Sequence, residues 1–218
     1  IHVIPGGDDG GPVAVEKGFP GWDVKIWDQE RYPGYEDFIC ADILFNPGYD
    51  QELKDYIIKY ELLRLEGGGV VSSGMEFTRP VDSIMLESCI HLVSVRGRVL
   101  STSLMISPRH CGFWEFLLYR IRAAVYRNPN NFREISWWAG EYFLGESTRL
   151  WLNDNWASND LADESGTVVG RLYEHADLVI WSPQVIKARY LDDAEGEGDD
   201  LSYGVDSTRY DEILAKVK

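Results

Sequence analysis

The sequence predicts one α+β domain: a central β-hairpin packed on a buried helix, with an irregular Gly/Pro-rich N-terminal arm and an acidic C-terminal segment. Three observations predict it. Ser88–Val95 and Arg98–Ile106 are two runs rich in β-branched and apolar residues, joined at Arg96-Gly97, where glycine permits the positive φ of a tight turn. A helix is expected from about Gly112 to Tyr126, because Phe113, Trp114, Phe116, Leu117, Leu118, Tyr119, Ile121, Ala124 and Val125 cover nearly all its circumference. No linker or internal repeat divides the chain. The expected organisation is therefore an arm over 1–20, a globular domain over 21–190 and an acidic segment over 191–218.

The elements follow in order. Gly6-Gly7, Gly10-Gly11-Pro12, Gly18 and Pro20 punctuate the arm. Trp22 to Trp27 alternates, which suggests a short strand with Trp22, Val24 and Ile26 on one side. Phe38 to Phe45 is apolar, a strand or a buried turn. Asn46-Pro47 has the form of a helix start, and Leu53, Tyr56, Ile57, Tyr60, Leu63 and Arg64 then recur at helical spacing. Gly67-Gly68-Gly69 ends that helix, and Val70–Phe77 is a candidate strand.

In the hairpin's second run, Leu100, Thr102, Leu104 and Ile106 form the better core face, and Ser107-Pro108 ends it. Phe116, Leu117, Ile121, Leu100 and Leu104 are expected to be buried together. Gly140 and Gly145 divide Phe132–Leu152 into two short helices. Asn153–Gly166 is polar and acidic, a loop. Thr167–Tyr173 and Leu178–Trp181 suggest strands, with short helices over Pro183–Tyr190 and Tyr210–Val217.

Bulk properties bound the function. The 218 residues can bury a sizeable core, and 44% hydrophobic residues with 13% aromatics is a folded composition. The net charge of −15 argues against duplex nucleic acid as a partner. No apolar run approaches the roughly 20 residues that span a bilayer, so no membrane is expected. Cys40, Cys89 and Cys111 are too few for a disulfide framework. They suggest a reducing intracellular compartment, or a virus particle assembled there.

Charge is segregated. Arg96, Arg98, Arg109, Arg120, Arg122, Arg127 and Arg133 have only Glu115 as an acid among them, while Asp192, Asp193, Glu195, Glu197, Asp199 and Asp200 crowd the C-terminal segment. Arginine suits bidentate pairing with carboxylate or phosphate. Pairing with the acidic segment, on the same chain or a neighbour's, is preferred to a phosphate site, since a polyanion approaches against the net charge.

Cys89, His91, His110 and Cys111 lack the paired spacing of a zinc site, so no metal is expected. Cys111 with His175 is a possible thiol and base. Gly67-Gly68-Gly69 follows a helix, whereas a phosphate loop follows a strand.

One ordered set suggests an enzyme. Phe77-Thr78-Arg79-Pro80, then Ser101-Thr102-Ser103, then Glu195-Gly196-Glu197 resembles the Arg, Ser-Thr-Ser, Glu-x-Glu order of enterotoxin-type ADP-ribosyltransferases. The resemblance implies NAD as cofactor, with Arg79 on its phosphates and Ser101 and Thr102 shaping the nicotinamide pocket. Glu197 would be the catalytic carboxylate and Glu195 would orient the acceptor. This is the alternative. The leading expectation is a non-catalytic subunit of a larger assembly, by analogy a viral capsid or capsid-associated surface protein, without a cofactor. Its partners would be protein subunits in a homo- or hetero-oligomer. Trp137, Trp138, Tyr142, Trp151 and Trp156 would supply the interface.

Overall fold

The computed structural model describes residues 1–4, 13–27, 37–72, 75–77, 80, 89–96, 99–127, 138–155, 161–162, 168–170, 177–181 and 188–190. An α+β domain is observed. The strands are β1 (His2–Ile4), β2 (Lys25–Ile26), β3 (Gly68–Ser72), β4 (Met75–Phe77), β5 (Cys89–Arg96), β6 (Val99–Ser107), β7 (Leu161–Ala162), β8 (Val168–Gly170), β9 (Asp177–Trp181) and β10 (Ala188–Tyr190). The helices are α1 (Val13–Gly18), α2 (Ala41–Leu44), α3 (Gln51–Leu65), α4 (Gly112–Arg127) and α5 (Glu141–Asn155). One mixed sheet runs β2-β1-β3-β6-β5-β9-β8-β7, and β10-β4 forms a small second sheet.

The hairpin expected at the centre is there. β5 and β6 pair antiparallel, with β3 against β6 and β9 parallel to β5. Its pairing is irregular: Leu92 faces Met105, but the next residue, Val93, faces Ser101. The extra residues of β6 between them interrupt the alternation of faces. As a result Leu100 and Met105 join the main core cluster, whereas Leu104 and Ile106, buried as they are, do not. The single core face predicted from alternation is corrected by this bulge.

α4 matches its expected span, but not its all-round burial. Leu117, Leu118, Ile121 and Val125 are fully buried, while Phe116 is half-buried and Tyr119 and Tyr126 are exposed. α3 lies against both the sheet and α4. Tyr60 stacks on Trp114 at 5.8 Å and donates to the Ala139 carbonyl at 2.6 Å.

Asn46 does not cap α3. Its side chain accepts from the Gly48 N–H at 2.9 Å, closing a turn, and the helix begins after Asp50. The glycine stop holds: Gly67 sits at φ +66°, and a Cβ there would come within 2.6 Å of the Arg109 backbone nitrogen.

Several local expectations differ. His2–Ile4, expected in an irregular arm, forms β1, between β2 and β3. The short strand near Trp22 reduces to Lys25–Ile26, and Trp27 is buried while Ile26 is 41% exposed. The reason is a hydrogen bond: Trp27 Nε1 donates to His2 Nδ1 at 2.7 Å, which draws the indole inward. Phe38–Phe45 contains helix α2 rather than a strand. α5 passes through Gly145 as one helix and extends to Asn155, into the expected loop. Ala188–Tyr190 is a strand paired with β4, not the end of a helix. The acidic segment and the helix expected over Tyr210–Val217 lie outside the described residues.

Candidate functional site

β1 is parallel to β2 on one side and to β3 on the other. The chain goes from β1 outward to β2, then returns across β1 to reach β3. In such a 2-1-3 order, ligands bind in the crevice beyond the carboxyl ends of the first and third strands. Those ends are level here, since Ile4 is in register with Ser72.

Ser72 is the last residue of β3, and Lys59 of α3 reaches it: Nζ donates to Ser72 Oγ at 3.0 Å. The ammonium lies 5.5 Å from the centre of the Tyr56 ring. Burial pushes the Lys59 pKa down to about 8, while Asp55, Glu141 and Glu52 pull the other way. Glu141 opens α5, where a carboxylate suits the helix dipole. Burial raises its pKa, opposed by Lys59 and by the Thr102 N–H that donates to it. Thr102 also shares a hydrogen bond with Tyr56, whose phenol is pushed up to about 12, first by burial and then by Glu52. Asp55 is raised by burial and accepts from Gln51 Nε2 at 2.8 Å.

Three elements thus converge beside the end of β3: the inner face of α3, the first residue of α5 and the bulged stretch of β6. A half-buried lysine with one hydroxyl partner among the described residues, set among carboxylates, offers the mixed donors and acceptors that suit a polyhydroxylated ligand. Sequence reasoning missed Lys59, Ser72 and Glu141. The available signal was Lys59 itself, a cation between the apolar Ile58 and Tyr60 on a helix with a broad buried face.

Two other polar networks nearby are closed. His2 accepts from Trp27 at Nδ1, so its Nε2 carries the hydrogen and donates to the Gly67 carbonyl at 2.9 Å. Burial holds the His2 pKa down, to about 4. Glu61, fully buried, accepts from the Cys40 N–H at 3.0 Å and from Arg64 Nε at 2.9 Å, while Arg64 also donates to the Asp37 carbonyl.

The residues singled out from sequence disperse. Thr102 enters the Lys59 cluster, but Ser101 Oγ accepts from the Ser103 N–H at 3.1 Å, a local bond within β6. Arg79, Glu195 and Glu197 lie outside the described residues, as do Trp137, Trp156, Arg98, Arg133 and His175. Arg96 is the last residue of β5. Trp151 is buried against Phe113 and Phe116, with ring centres at 5.8 and 5.3 Å, so it serves this chain's own core. Trp138 is half-buried and Tyr142 is exposed.

Arg109 donates from Nε to the Leu65 carbonyl at 2.5 Å. Arg122 pairs with Asp42 of α2 at 3.5 Å. Arg120 and Arg127 line a groove on α4. All three cysteines are buried free thiols. Burial raises the Cys111 pKa, which is the opposite of an activated nucleophile. Among the described residues no three His, Cys, Asp or Glu side chains group as metal ligands. No described helix is long and apolar enough to cross a membrane.

No protein-family profile matches the chain, and no curated protein sequence matches it. Its fold is similar to a solved structure, PaToxG Glycosyltransferase, with a TM-score of 0.51 and 11% identity over 70% of this chain and 68% of that one. At that identity the likeness is one of fold.

Proposed function

We propose that the chain binds a nucleoside diphosphate sugar at the carboxyl ends of β1 and β3, and that its activity is glycosyl transfer. The observation that carries this reading is the Lys59–Ser72 contact at the β1/β3 switch point, with Glu141 and Thr102 beside it. Similarity in fold to a glycosyltransferase supports the proposed reaction type. In the reaction, an acceptor hydroxyl forms a bond to the anomeric carbon and gives up its proton to water. The bond from that carbon to the diphosphate breaks, and the nucleoside diphosphate leaves with the electron pair. Protonated Lys59 would face the diphosphate charge, which grows as that bond breaks.

The test is a binding and turnover panel of uridine, guanosine and thymidine diphosphate sugars, with NAD as a further member. At least one sugar donor should bind wild type, and Lys59→Met should weaken it about tenfold or more, the scale of a lost charge-assisted contact. Binding should also weaken above pH 8, where Lys59 loses its proton. Absence of binding to every sugar donor would overturn the reading, as would consumption of NAD alone.

A second reading, a non-catalytic subunit of an assembly, is favoured by the exposed aromatics Phe45, Tyr119, Tyr126 and Tyr142, the first three 55–60% exposed. It expects a particle larger than one chain in sedimentation that loosens with salt and leaves every donor intact.

A further inference from the structure

We infer that the groove between α4 and α5 is the docking site of the chain's own acidic segment, residues 191–218. The groove has a volume of about 580 Å³ and is walled by Phe116, Tyr119, Trp138 and Phe143, with Arg120 and Arg127. Both charged residues in its lining are arginines.

Arg120 is fixed in place. Its guanidinium carbon lies 5.6 Å from the Phe116 ring centre and 5.1 Å from that of Phe143, and Nη1 donates to Ser147 Oγ. A guanidinium carries five N–H donors in a planar fork, so this one bond leaves most of its donor capacity unused among the described residues. Glu146, the carboxylate that acts on Arg120 through space, is engaged by Arg149 at 3.0 Å. Arg127 is exposed, and no acidic side chain among the described residues pairs with it. The site therefore offers two cations with unused donors on an aromatic wall. Such a surface fits carboxylates carried on a chain that also has apolar side chains.

The segment supplies that pattern. Asp192, Asp193, Glu195, Glu197, Asp199 and Asp200 fall between Leu191 and Leu201, with Tyr203 beyond. It follows β10 directly. Extended chain covers about 3.3 Å per residue, so roughly ten residues cross about 33 Å. A domain of this length has a radius of gyration near 17 Å, so the acidic run spans about twice that radius. Tethering gives it an effective concentration in the millimolar range. A separate acidic protein would instead have to approach a chain of net charge −15.

The experiment uses the full chain with a benzophenone amino acid in place of Tyr119, which is 57% exposed on the groove. Illumination should join α4 to residues 191–218. Mixing isotopically light and heavy chains should show that the join lies within one chain. Arg127→Glu should lower the yield several-fold, as expected for loss of one of two charge contacts, and raised salt should act in the same direction. Asp199→Lys with Asp200→Lys should restore the yield in the Arg127→Glu background. Arg120→Glu also breaks the Ser147 contact, so Arg127→Glu is the variant that decides, with its melting temperature as the folding control. Failure to join, joins to another segment, joins between two chains, or a yield indifferent to both charge reversals would each overturn the inference.

Discussion

Helix α3 carries two sets of buried charge that differ in how their hydrogen bonds are spent. Glu61 and Arg64 face the 37–40 segment, and their bonds go to the backbone and to each other: Cys40 N–H to Glu61, Arg64 to Glu61, Arg64 to the Asp37 carbonyl. Lys59, on the same helix, has one hydrogen-bond partner among the described residues, Ser72, and carboxylates that act on it through space. The first set fastens a loop to a helix and leaves little to offer a ligand. The second leaves two ammonium hydrogens unassigned at the place where the topology leads a ligand to bind. Burial of charge alone marks neither; the distinction lies in the unused capacity.

The largest effect should come from breaking the closed set. Arg64→Ala leaves the Glu61 carboxylate buried with its partner gone, a situation that costs about 3–5 kcal/mol. Equilibrium urea denaturation measures it. A loss below about 1 kcal/mol, the range of an exposed pair, would mean that Glu61 is not locked as its bonds suggest.

His2 offers a second closed network, read through pH. Its folded pKa is about 4, against an ordinary value of 6.5. Between these values the unfolded chain binds the proton and the folded chain does not, so stability is full above pH 6.5 and falls as pH drops toward 4. The two-and-a-half-unit difference corresponds to roughly 3 kcal/mol at most. Melting curves of wild type and His2→Ala across that window should differ in slope, with wild type losing more. Parallel slopes would show that His2 is solvated in the fold.

Much of the scaffold was legible in the sequence, because it rests on local signals. The β5–β6 hairpin, α4 and the end of α3 at Gly67 follow from apolar runs, apolar density and a glycine at positive φ. What escaped depends on contacts distant in sequence. β1 is three residues long and is held by β2, β3 and Trp27, none of which Ile1–Pro20 reveals. The β6 bulge changes which residues face the core without changing the apolar pattern. The candidate site joins residues 59, 72, 102 and 141, whose separation no spacing rule connects. Only Thr102 had been singled out, and for a different role.

The open set has a smaller pH signature of the same sign, at alkaline pH, from its own lysine. Lys59 has a folded pKa of about 8 against 10.5 ordinarily. Between those values the unfolded chain holds more protons, so stability contributed at this site rises with pH from about 8 to 10.5. Since solvent reaches part of the side chain, the gain should be about 1–2 kcal/mol. Lys59→Met removes the titrating group and should flatten that rise while leaving the His2 window intact. A rise that persists in Lys59→Met would place the titration elsewhere.

The smallest stability effect, and the sharpest separation of the two sets, is expected of Ser72→Ala. Ser72 is half-buried at the end of β3, and its hydroxyl accepts one hydrogen bond from Lys59. Its loss removes a single side-chain bond at an edge that water reaches, which costs about 1 kcal/mol. That is well below the cost expected for Arg64→Ala, which strands a buried anion, whereas Ser72→Ala only releases a cation that water reaches. The released Lys59 also loses a contact that favours its charged form, so its pKa should fall further and the alkaline rise in stability should begin at a lower pH. Donor affinity in the nucleotide-sugar panel should fall as well, because the ammonium is no longer held at the strand end. If Ser72→Ala instead destabilises as strongly as Arg64→Ala, the Lys59–Ser72 contact is a structural lock like the other. If it shifts the alkaline onset and donor binding with little change in neutral-pH stability, the unused capacity of Lys59 belongs to a ligand.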